Sequence, residues 1–174
     1  PLYRAVFGNH HEVVGALVND QRIDPNLQGL PGLRPLYLAV DAGYEKSVVA
    51  LLEHNDVDPN IWNGNGETAL IQACLNNDKN VINILLNDTR TDPNRTNTNM
   101  QTPLYRACAA GRVKAAELLL DHPNTSPNKS EHQDATPLIL ACKSGKQNLV
   151  KTLLRRPDLD LNAYKGNQAT ALYA

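Results

Sequence analysis

The sequence repeats itself every 34 residues, and this period constrains the fold more than any other feature of the chain. One position of the period always holds leucine: Leu2, Leu36, Leu70, Leu104, Leu138 and Leu172. Further positions hold alanine (Ala5, Ala39, Ala73, Ala107, Ala141), a second leucine (Leu17, Leu51, Leu85, Leu119, Leu153) and asparagine (Asn26, Asn60, Asn94, Asn128, Asn162). The 174 residues therefore contain five periods and the opening of a sixth, which predicts an array of similar units.

Each period predicts two short helices and a long loop, as the fourth period illustrates. Thr102 is a suitable helix N-cap, and Pro103 follows at the first helical position, where no backbone N–H is needed. Gly111 supplies a left-handed residue that ends the first helix. A second helix is expected over about Val113 to Leu120, and Pro127 then marks the loop. The Gly111 position is filled by Asn9, Gly43, Asn77 and Gly145 in the other periods.

A single unit of this kind cannot bury its apolar stripe, so neighbouring units have to stack. The expected inward residues of the fourth period are Leu104, Ala107, Cys108, Ala116, Leu119 and Leu120. The first-helix stripe is small because stacked helices lie only about 8–10 Å apart, which also accounts for a chain with one Trp and one Phe. The prediction is one predominantly α-helical solenoid over residues 1–174.

Composition weighs against several other classes of protein. Seventeen Lys and Arg stand against eighteen Asp and Glu, and this near-neutral balance argues against a dedicated nucleic-acid surface. No apolar run is long enough to span a membrane. Residues 1–12 lack the basic and apolar segments of a signal peptide. We therefore expect no nucleic-acid partner and no membrane insertion.

Three segments of the fourth period carry a family resemblance: Thr102 to Gly111, then Glu117 to Leu120, then Pro127 and Asn128. The first segment recurs in part at Thr136, Pro137 and Leu138, and at Thr68, Ala69 and Leu70. The pattern resembles the ankyrin repeat and covers nearly the whole chain. The resemblance implies stacked units, each a β-hairpin finger plus an antiparallel helix pair, and a concave face that binds proteins.

The chain departs from the family pattern in three ways. Its loop is one residue longer than in the ~33-residue family repeat. Tyr or Ile replaces the family's histidine at Tyr3, Tyr37, Ile71, Tyr105, Ile139 and Tyr173, which puts that histidine's hydrogen bonds in doubt. The finger glycine is present as Gly32 and Gly66 but is replaced by Met100, Asp134 and Gln168 later in the chain, which predicts differently shaped fingers there.

Several groups of polar residues invite a chemical interpretation. Cys74, Cys108 and Cys142 occur once per period, too far apart for a disulfide with its roughly 7 Å Cα limit, and without zinc-ligand spacing. We expect small, reduced core thiols, which favour an intracellular location. The paired loop aspartates (Asp56 and Asp58, Asp88 and Asp92, Asp158 and Asp160) are expected to cap loops. His10-His11-Glu12 lacks the second histidine of a metalloprotease motif and is expected to be structural.

The residues that do not repeat are the candidates for binding a partner. The proposed contacts occupy finger positions or the exposed ends of first helices: Phe7, Leu30, Leu33, Trp62, Leu75, Arg106 and Tyr164. Tryptophan, tyrosine and arginine are the residues most often found at interface hot spots. The alternative is that Trp62 and the leucines pack one finger against the next.

The predicted function is non-catalytic protein–protein recognition by a monomer, with no catalytic residue, metal or cofactor. A different class of function is also open: the array serves as the targeting or regulatory part of a larger enzyme or secreted effector. The sequence begins at Pro1 and stops at Ala174, inside a first helix at both ends, which suggests an array truncated at both ends and a fragment of a longer chain.

Overall fold

A computed structural model describes residues 1–29, 32–129 and 136–163. Within these residues the chain forms ten helices: α1 (Leu2–Phe7), α2 (His11–Val18), α3 (Pro35–Asp41), α4 (Glu45–Leu52), α5 (Ala69–Asn76), α6 (Lys79–Asn87), α7 (Pro103–Ala109), α8 (Val113–Asp121), α9 (Pro137–Lys143) and α10 (Gln147–Leu153). We number the repeats by period, so that repeat 1 is residues 1–34, repeat 2 is 35–68, repeat 3 is 69–102, repeat 4 is 103–136 and repeat 5 is 137–170.

The helices stack in two parallel columns. The first helix of each repeat packs on the first helix of the next, from α1 through α9, and the second helices do the same from α2 through α10. The recurring leucines Leu51, Leu85, Leu119 and Leu153 are all completely buried between the columns. Leu17, at the same position of repeat 1, is only half-buried. The predicted α-solenoid is confirmed.

The helix ends follow the predicted capping chemistry. The hydroxyls of Thr68, Thr102 and Thr136 each accept a hydrogen bond from the backbone N–H three residues later, at 3.2, 3.1 and 3.3 Å. A left-handed residue follows each first helix within two positions, as expected, with φ of +62° at Gly111 and +57° at Asn77. These ends fix the direction in which each second helix folds back.

The bases of the first three fingers are each closed by one backbone bond, and no β-strand occurs in the described residues. Gly29 N–H donates to the Leu33 carbonyl at 2.8 Å, and Asn63 N–H donates to the Glu67 carbonyl at 2.9 Å. A further bond joins the second finger to the first, from Gly64 N–H to the Gly32 carbonyl at 2.9 Å. The finger that the resemblance implies is therefore present without a strand ladder.

The prediction of a different finger shape where glycine is lost is wrong for Met100. This residue adopts φ of +63°, close to the +75° of Gly66, and its N–H makes the same bond to the residue three positions earlier. The bond to the neighbouring finger is also retained, since Thr98 N–H donates to the Gly66 carbonyl at 3.0 Å. Asp134 and Gln168 lie outside the described residues.

An asparagine ladder joins each loop to the loop of the next repeat. The Asn60 side chain donates to the Arg90 carbonyl at 2.7 Å and accepts from Asp92 N–H at 2.7 Å. Asn26, Asn94 and Asn128 make the equivalent pair of bonds. The loop aspartates cap turns as predicted, since Asp58 and Asp92 accept from the N–H two residues later. The recurring asparagine therefore stabilises the stacking.

All three cysteines are free thiols, as predicted. Cys74 and Cys108 are fully buried, and burial raises the pKa of the Cys108 thiol to about 12 and that of Cys74 still further. Cys142 is only half-buried, so the expectation of a buried thiol is wrong at this position. In the described part of the chain no helix combines the length and apolar character that crossing a membrane requires.

Candidate functional site

Trp62 lies at the junction between the second finger and the third. Its indole N–H donates to the Thr96 carbonyl at 2.7 Å, and the Arg95 guanidinium lies 4.6 Å from the ring centroid. Arg34 fixes the backbone of this residue by donating to the Trp62 carbonyl at 2.8 Å. The residue is nevertheless 38% exposed. Trp62 therefore packs finger against finger and still presents part of its ring to solvent.

An open groove runs beside the exposed part of the Trp62 ring. Its walls come from two successive loops, with Asp58, Asn60 and Ile61 on one side and Asp92 and Arg95 on the other. Both aspartates cap their own loops through bonds to backbone N–H groups. Both carboxylates are therefore held by their own loops, and the groove carries charges of both signs next to an aromatic surface.

Arg106 forms a second element of the site, on helix α7. Its guanidinium pairs with Glu67 at 3.2 Å and donates to the Gln101 side chain at 3.3 Å. Glu67 also accepts from the Asn97 amide at 3.3 Å. The Nε of Arg106 is buried and has no hydrogen-bond partner. A half-buried ion pair of this kind fixes the arginine and leaves one buried donor unsatisfied.

A chain of hydrogen bonds joins helices α3 and α5 on the same side of the array. The Tyr37 hydroxyl donates to the Gln72 side-chain oxygen at 2.7 Å, and the Gln72 amide donates to Asp41 at 2.7 Å and to Asn76 at 3.0 Å. Burial, with the negative charges of Asp41 and Glu67, raises the pKa of Tyr37 to about 12. The tyrosine therefore stays protonated and donates, in the position where the family has histidine.

The remaining predicted contacts do not form one continuous patch. Phe7 ends α1 and is 63% exposed, whereas Leu75 on α5 is half-buried, and helix α3 with Asp41 lies between them. Leu33 is half-buried against the core at the base of its finger. Leu30 and Tyr164 lie outside the described residues. The apolar candidates are therefore separated by the polar network around Gln72.

The described ranges contain no group of three or more His, Cys, Asp or Glu residues placed to hold a metal ion. His10 is the N-cap residue of α2 and His11 begins that helix, so this pair lies in the turn between two helices. The exposed chemistry of the site consists of an aromatic ring, two guanidinium groups, carboxylates and amides. Such a set can bind another macromolecule by packing and hydrogen bonding.

A family model described as ankyrin repeats (3 copies) matches residues 2–97 and, in a second match, residues 76–165. The two matches together cover most of the sequence. The chain belongs to the ankyrin-repeat family. Ankyrin repeats are protein–protein interaction modules, and no enzyme family is indicated for this array.

Two ankyrin structures illustrate how similar the fold is. The crystal structure of EF0377, an ankyrin repeat protein, has a TM-score of 0.86 and 21% identity, covering 98% of this chain and 87% of that one. The ankyrin repeat domain of Bcl-3, described as a unique member of the IkappaB protein family, has a TM-score of 0.90 and 23% identity, covering 99% and 77%. At such identities the likeness shows the ankyrin fold alone. No curated protein matches the sequence significantly.

Sequence reasoning missed the polar part of this ankyrin surface. Gln72, Asn76 and Glu67 connect successive repeats, yet none belongs to a residue type usually associated with hot spots. The sequence could have identified these residues as surface candidates, because they occupy positions that differ from one period to the next. Their partners could not be predicted, since each bond joins residues 30 or more positions apart.

Proposed function

We propose that this ankyrin array recognises a protein partner through the surface formed by its fingers and first helices, without chemistry of its own. The proposal rests mainly on the surroundings of the Trp62 side chain. A hydrogen bond to the next finger holds one edge of it in place, and the other edge is exposed to solvent. Large aromatic residues at the centre of an interface contribute most of its binding energy. Trp62 is the only tryptophan of the chain.

The fixed geometry of Trp62 favours binding for a physical reason. A side chain that is already immobilised loses little conformational entropy when a partner covers it. The bond to the Thr96 carbonyl and the Arg95 guanidinium over the ring remove most of that freedom in the unbound array. The partner then needs only to cover the remaining ring and the groove beside it.

The other contacts extend this surface along the first helices. Phe7 and Leu75 supply apolar area, Leu33 supports the first finger, and the Arg106 side chain, which is 30% exposed, presents its guanidinium to a carbonyl or carboxylate acceptor. Leu30 and Tyr164 belong to the proposed surface by their position in the sequence. The proposal also includes a monomeric protein in a reducing, intracellular compartment, which the three free thiols support.

Matched substitutions test the proposed surface. Array protein is immobilised, captured proteins are identified by mass spectrometry, and their affinities are measured for the parent, Trp62→Ala, Trp62→Phe and Leu154→Ala. Leu154 is the control, because it is 53% exposed at the end of a second helix, away from the fingers. Thermal unfolding of each variant separates binding effects from stability effects.

We expect Trp62→Ala to weaken partner binding by about 2 kcal/mol, or roughly thirtyfold. Trp62→Phe retains a ring but loses the indole N–H bond, so it should keep an intermediate affinity. Leu154→Ala should bind as the parent does. The proposal fails if Trp62→Ala lowers stability while every captured protein binds it with unchanged affinity.

A further inference from the structure

The near-neutral net charge conceals a separation of charge along the array. Residues 1–102, which form repeats 1 to 3, contain twelve Asp and Glu against seven Lys and Arg. Residues 103–174 contain ten Lys and Arg against six Asp and Glu. The two parts of one scaffold therefore carry opposite net charge, which the whole-chain value of -1 does not reveal.

The positive charge of repeats 4 and 5 is concentrated where the first helix turns into the second. We call this surface the basic edge and define it by Arg112, Lys114, Lys143 and Lys146, all of which are exposed. Arg112 and Lys146 are the N-cap residues of α8 and α10, and Lys143 ends α9. The four cations thus come from two neighbouring turns.

Lys146 brings the two turns together. Its ammonium donates to the Gly111 carbonyl at 3.2 Å, next to Arg112 in the chain. A side chain at residue 111 would collide with it, because a Cβ built there would lie 1.9 Å from Lys146 Nζ. The glycine therefore permits a repeat-5 cation to lie against the repeat-4 turn, which makes the basic edge one surface.

Little negative charge compensates the basic edge. Glu117 pairs with Lys114 at 3.0 Å, whereas Arg112, Lys143 and Lys146 form no ion pair with any of the residues that the structure describes. Asp78, in the preceding turn, is engaged as the N-cap of α6, where it accepts from the N–H groups of Asn80 and Val81. The free cations therefore face solvent.

The same edge has the opposite character in repeats 1 to 3. The positions equivalent to Arg112 and Lys146 hold His10, Tyr44 and Asp78, and those equivalent to Lys143 hold Phe7, Asp41 and Leu75. Only Lys46 and Lys79 are basic there, Glu45 directly precedes Lys46, and repeat 1 has Glu12 at the position of Lys46. The basic edge is thus a property of repeats 4 and 5 and not of the repeat itself.

We propose that the basic edge docks an extended, carboxylate-rich segment of the protein partner. The inference rests on the proposed protein-binding function and adds the chemistry of the partner. Electrostatic complementarity of this kind speeds encounter and fixes the direction in which the partner lies. A short acidic segment can bind repeats 4 and 5 alone, and it is then not repelled by the acidic residues of repeats 1 to 3.

A nucleic acid fits this surface less well. A duplex carries one negative charge per roughly 1.7 Å and would run past the basic edge over the acidic repeats. Three of the four cations are lysines, which lack the planar fork that pairs with phosphate in a bidentate manner. A flexible peptide, in contrast, can place each of its carboxylates beside a separate lysine ammonium group of the basic edge.

The test uses a fluorescent oligoglutamate peptide and the complete 174-residue chain. Fluorescence anisotropy measures binding at low and physiological salt for the parent, for Arg112→Gln/Lys143→Gln and for Lys46→Gln/Lys79→Gln. The last variant is the matched control, because it removes two exposed cations from the same edge in repeats 2 and 3. Circular dichroism verifies that each variant is folded. If the double variants fold poorly, the single variant Lys143→Gln replaces the first of them, and Lys79→Gln is its control.

We expect the parent to bind the peptide and to lose affinity as salt rises. Arg112→Gln/Lys143→Gln should weaken binding by about five- to tenfold, and the control by less than about twofold. Absence of binding at low salt, or equal weakening by the two double variants, would overturn the proposal. Tighter binding of an oligothymidylate of equal charge, lost in the same variant, would assign the basic edge to nucleic acid instead.

The Trp62→Ala variant separates this inference from the proposed function. It should bind oligoglutamate as the parent does, since Trp62 lies in repeat 2 and away from the basic edge. If the peptide does not bind but partner capture still depends on Trp62, the inference about the basic edge is overturned and the proposed function is not. Peptide binding without Trp62-dependent capture would overturn the proposed finger surface and leave the basic edge standing.

Discussion

The first and third loops contain the same short ion pair but use it differently. Asp20 and Arg22 pair at 2.6 Å, and so do Asp88 and Arg90. The Arg22 side chain is 88% exposed, and its guanidinium bonds only to Asp20. The Arg90 side chain is 31% exposed and also donates to four backbone carbonyls of the preceding repeat, at Leu52, His54, Asn55 and Val57.

The difference shows that a residue's role in this array depends on the adjacent repeat and not on its local sequence. Arg90 caps the carbonyl end of α4, where a cation is favourable. Arg156 does the same for α8, donating to the carbonyls of Leu120 and Thr125 at 2.8 and 3.0 Å. Trp62 is a further case, because Arg95 and Thr96 of the next repeat hold it.

The largest expected effect comes from the recurring core. Leu119→Ala should lower the free energy of unfolding by about 2–5 kcal/mol, because it leaves a cavity at a completely buried site between repeats. Leu17→Ala should cost clearly less, since Leu17 is half-buried in repeat 1. Urea denaturation measures both. Equal losses would mean that repeat 1 is packed as tightly as the interior repeats.

Arg90→Ala should have the next largest effect, with a loss of about 2–3 kcal/mol, because charge-assisted bonds to backbone carbonyls are removed. Arg22→Ala is the matched control and should leave the unfolding midpoint unchanged, because its pair is exposed and screened by solvent. The two variants are compared by urea denaturation under identical conditions. If they lose the same stability, the carbonyl contacts of Arg90 do not stabilise the array.

Asp88→Asn should cost less than Arg90→Ala, because the carbonyl bonds of Arg90 remain. The hydrogen bond from Arg90 holds the pKa of Asp88 below its usual value. A depressed folded-state pKa stabilises the protein above the unfolded pKa of about 4, and this stabilisation is lost as pH falls through the folded-state pKa. The parent should therefore lose more stability than Asp88→Asn between neutral pH and acid, as measured by denaturation at several pH values. Parallel pH profiles would contradict this assignment.

The smallest expected effect concerns the third finger. Met100 holds a left-handed backbone that costs a residue with a side chain more than it costs glycine, and it is 50% exposed. Met100→Gly should therefore stabilise the array by about 0.5–1 kcal/mol, whereas Met100→Val should destabilise it. Thermal unfolding of the pair gives the sign. A destabilising glycine would show that the Met100 side chain contributes more than its strained backbone costs.

The period in the sequence was sufficient to predict the fold, because the capping threonines and the left-handed Gly and Asn residues recur with it. The contacts of Arg90 and Arg156 could not be predicted, since these arginines occupy different positions of the period. Trp62 was identified as a candidate from its residue type, but its bond to the Thr96 carbonyl depends on the stacking of two fingers. Non-recurring residues thus decide the surface, and their partners are visible only in three dimensions.

We propose Trp62, fixed by the next repeat, as the anchor for a protein partner. Incorporation of fluorotryptophan gives one fluorine NMR signal, because the chain has a single tryptophan. We predict that a captured partner shifts this signal and protects it from broadening by a soluble paramagnetic chelate, since the exposed part of the ring becomes buried. A saturating partner that leaves both the shift and the broadening unchanged would show that Trp62 is not the anchor.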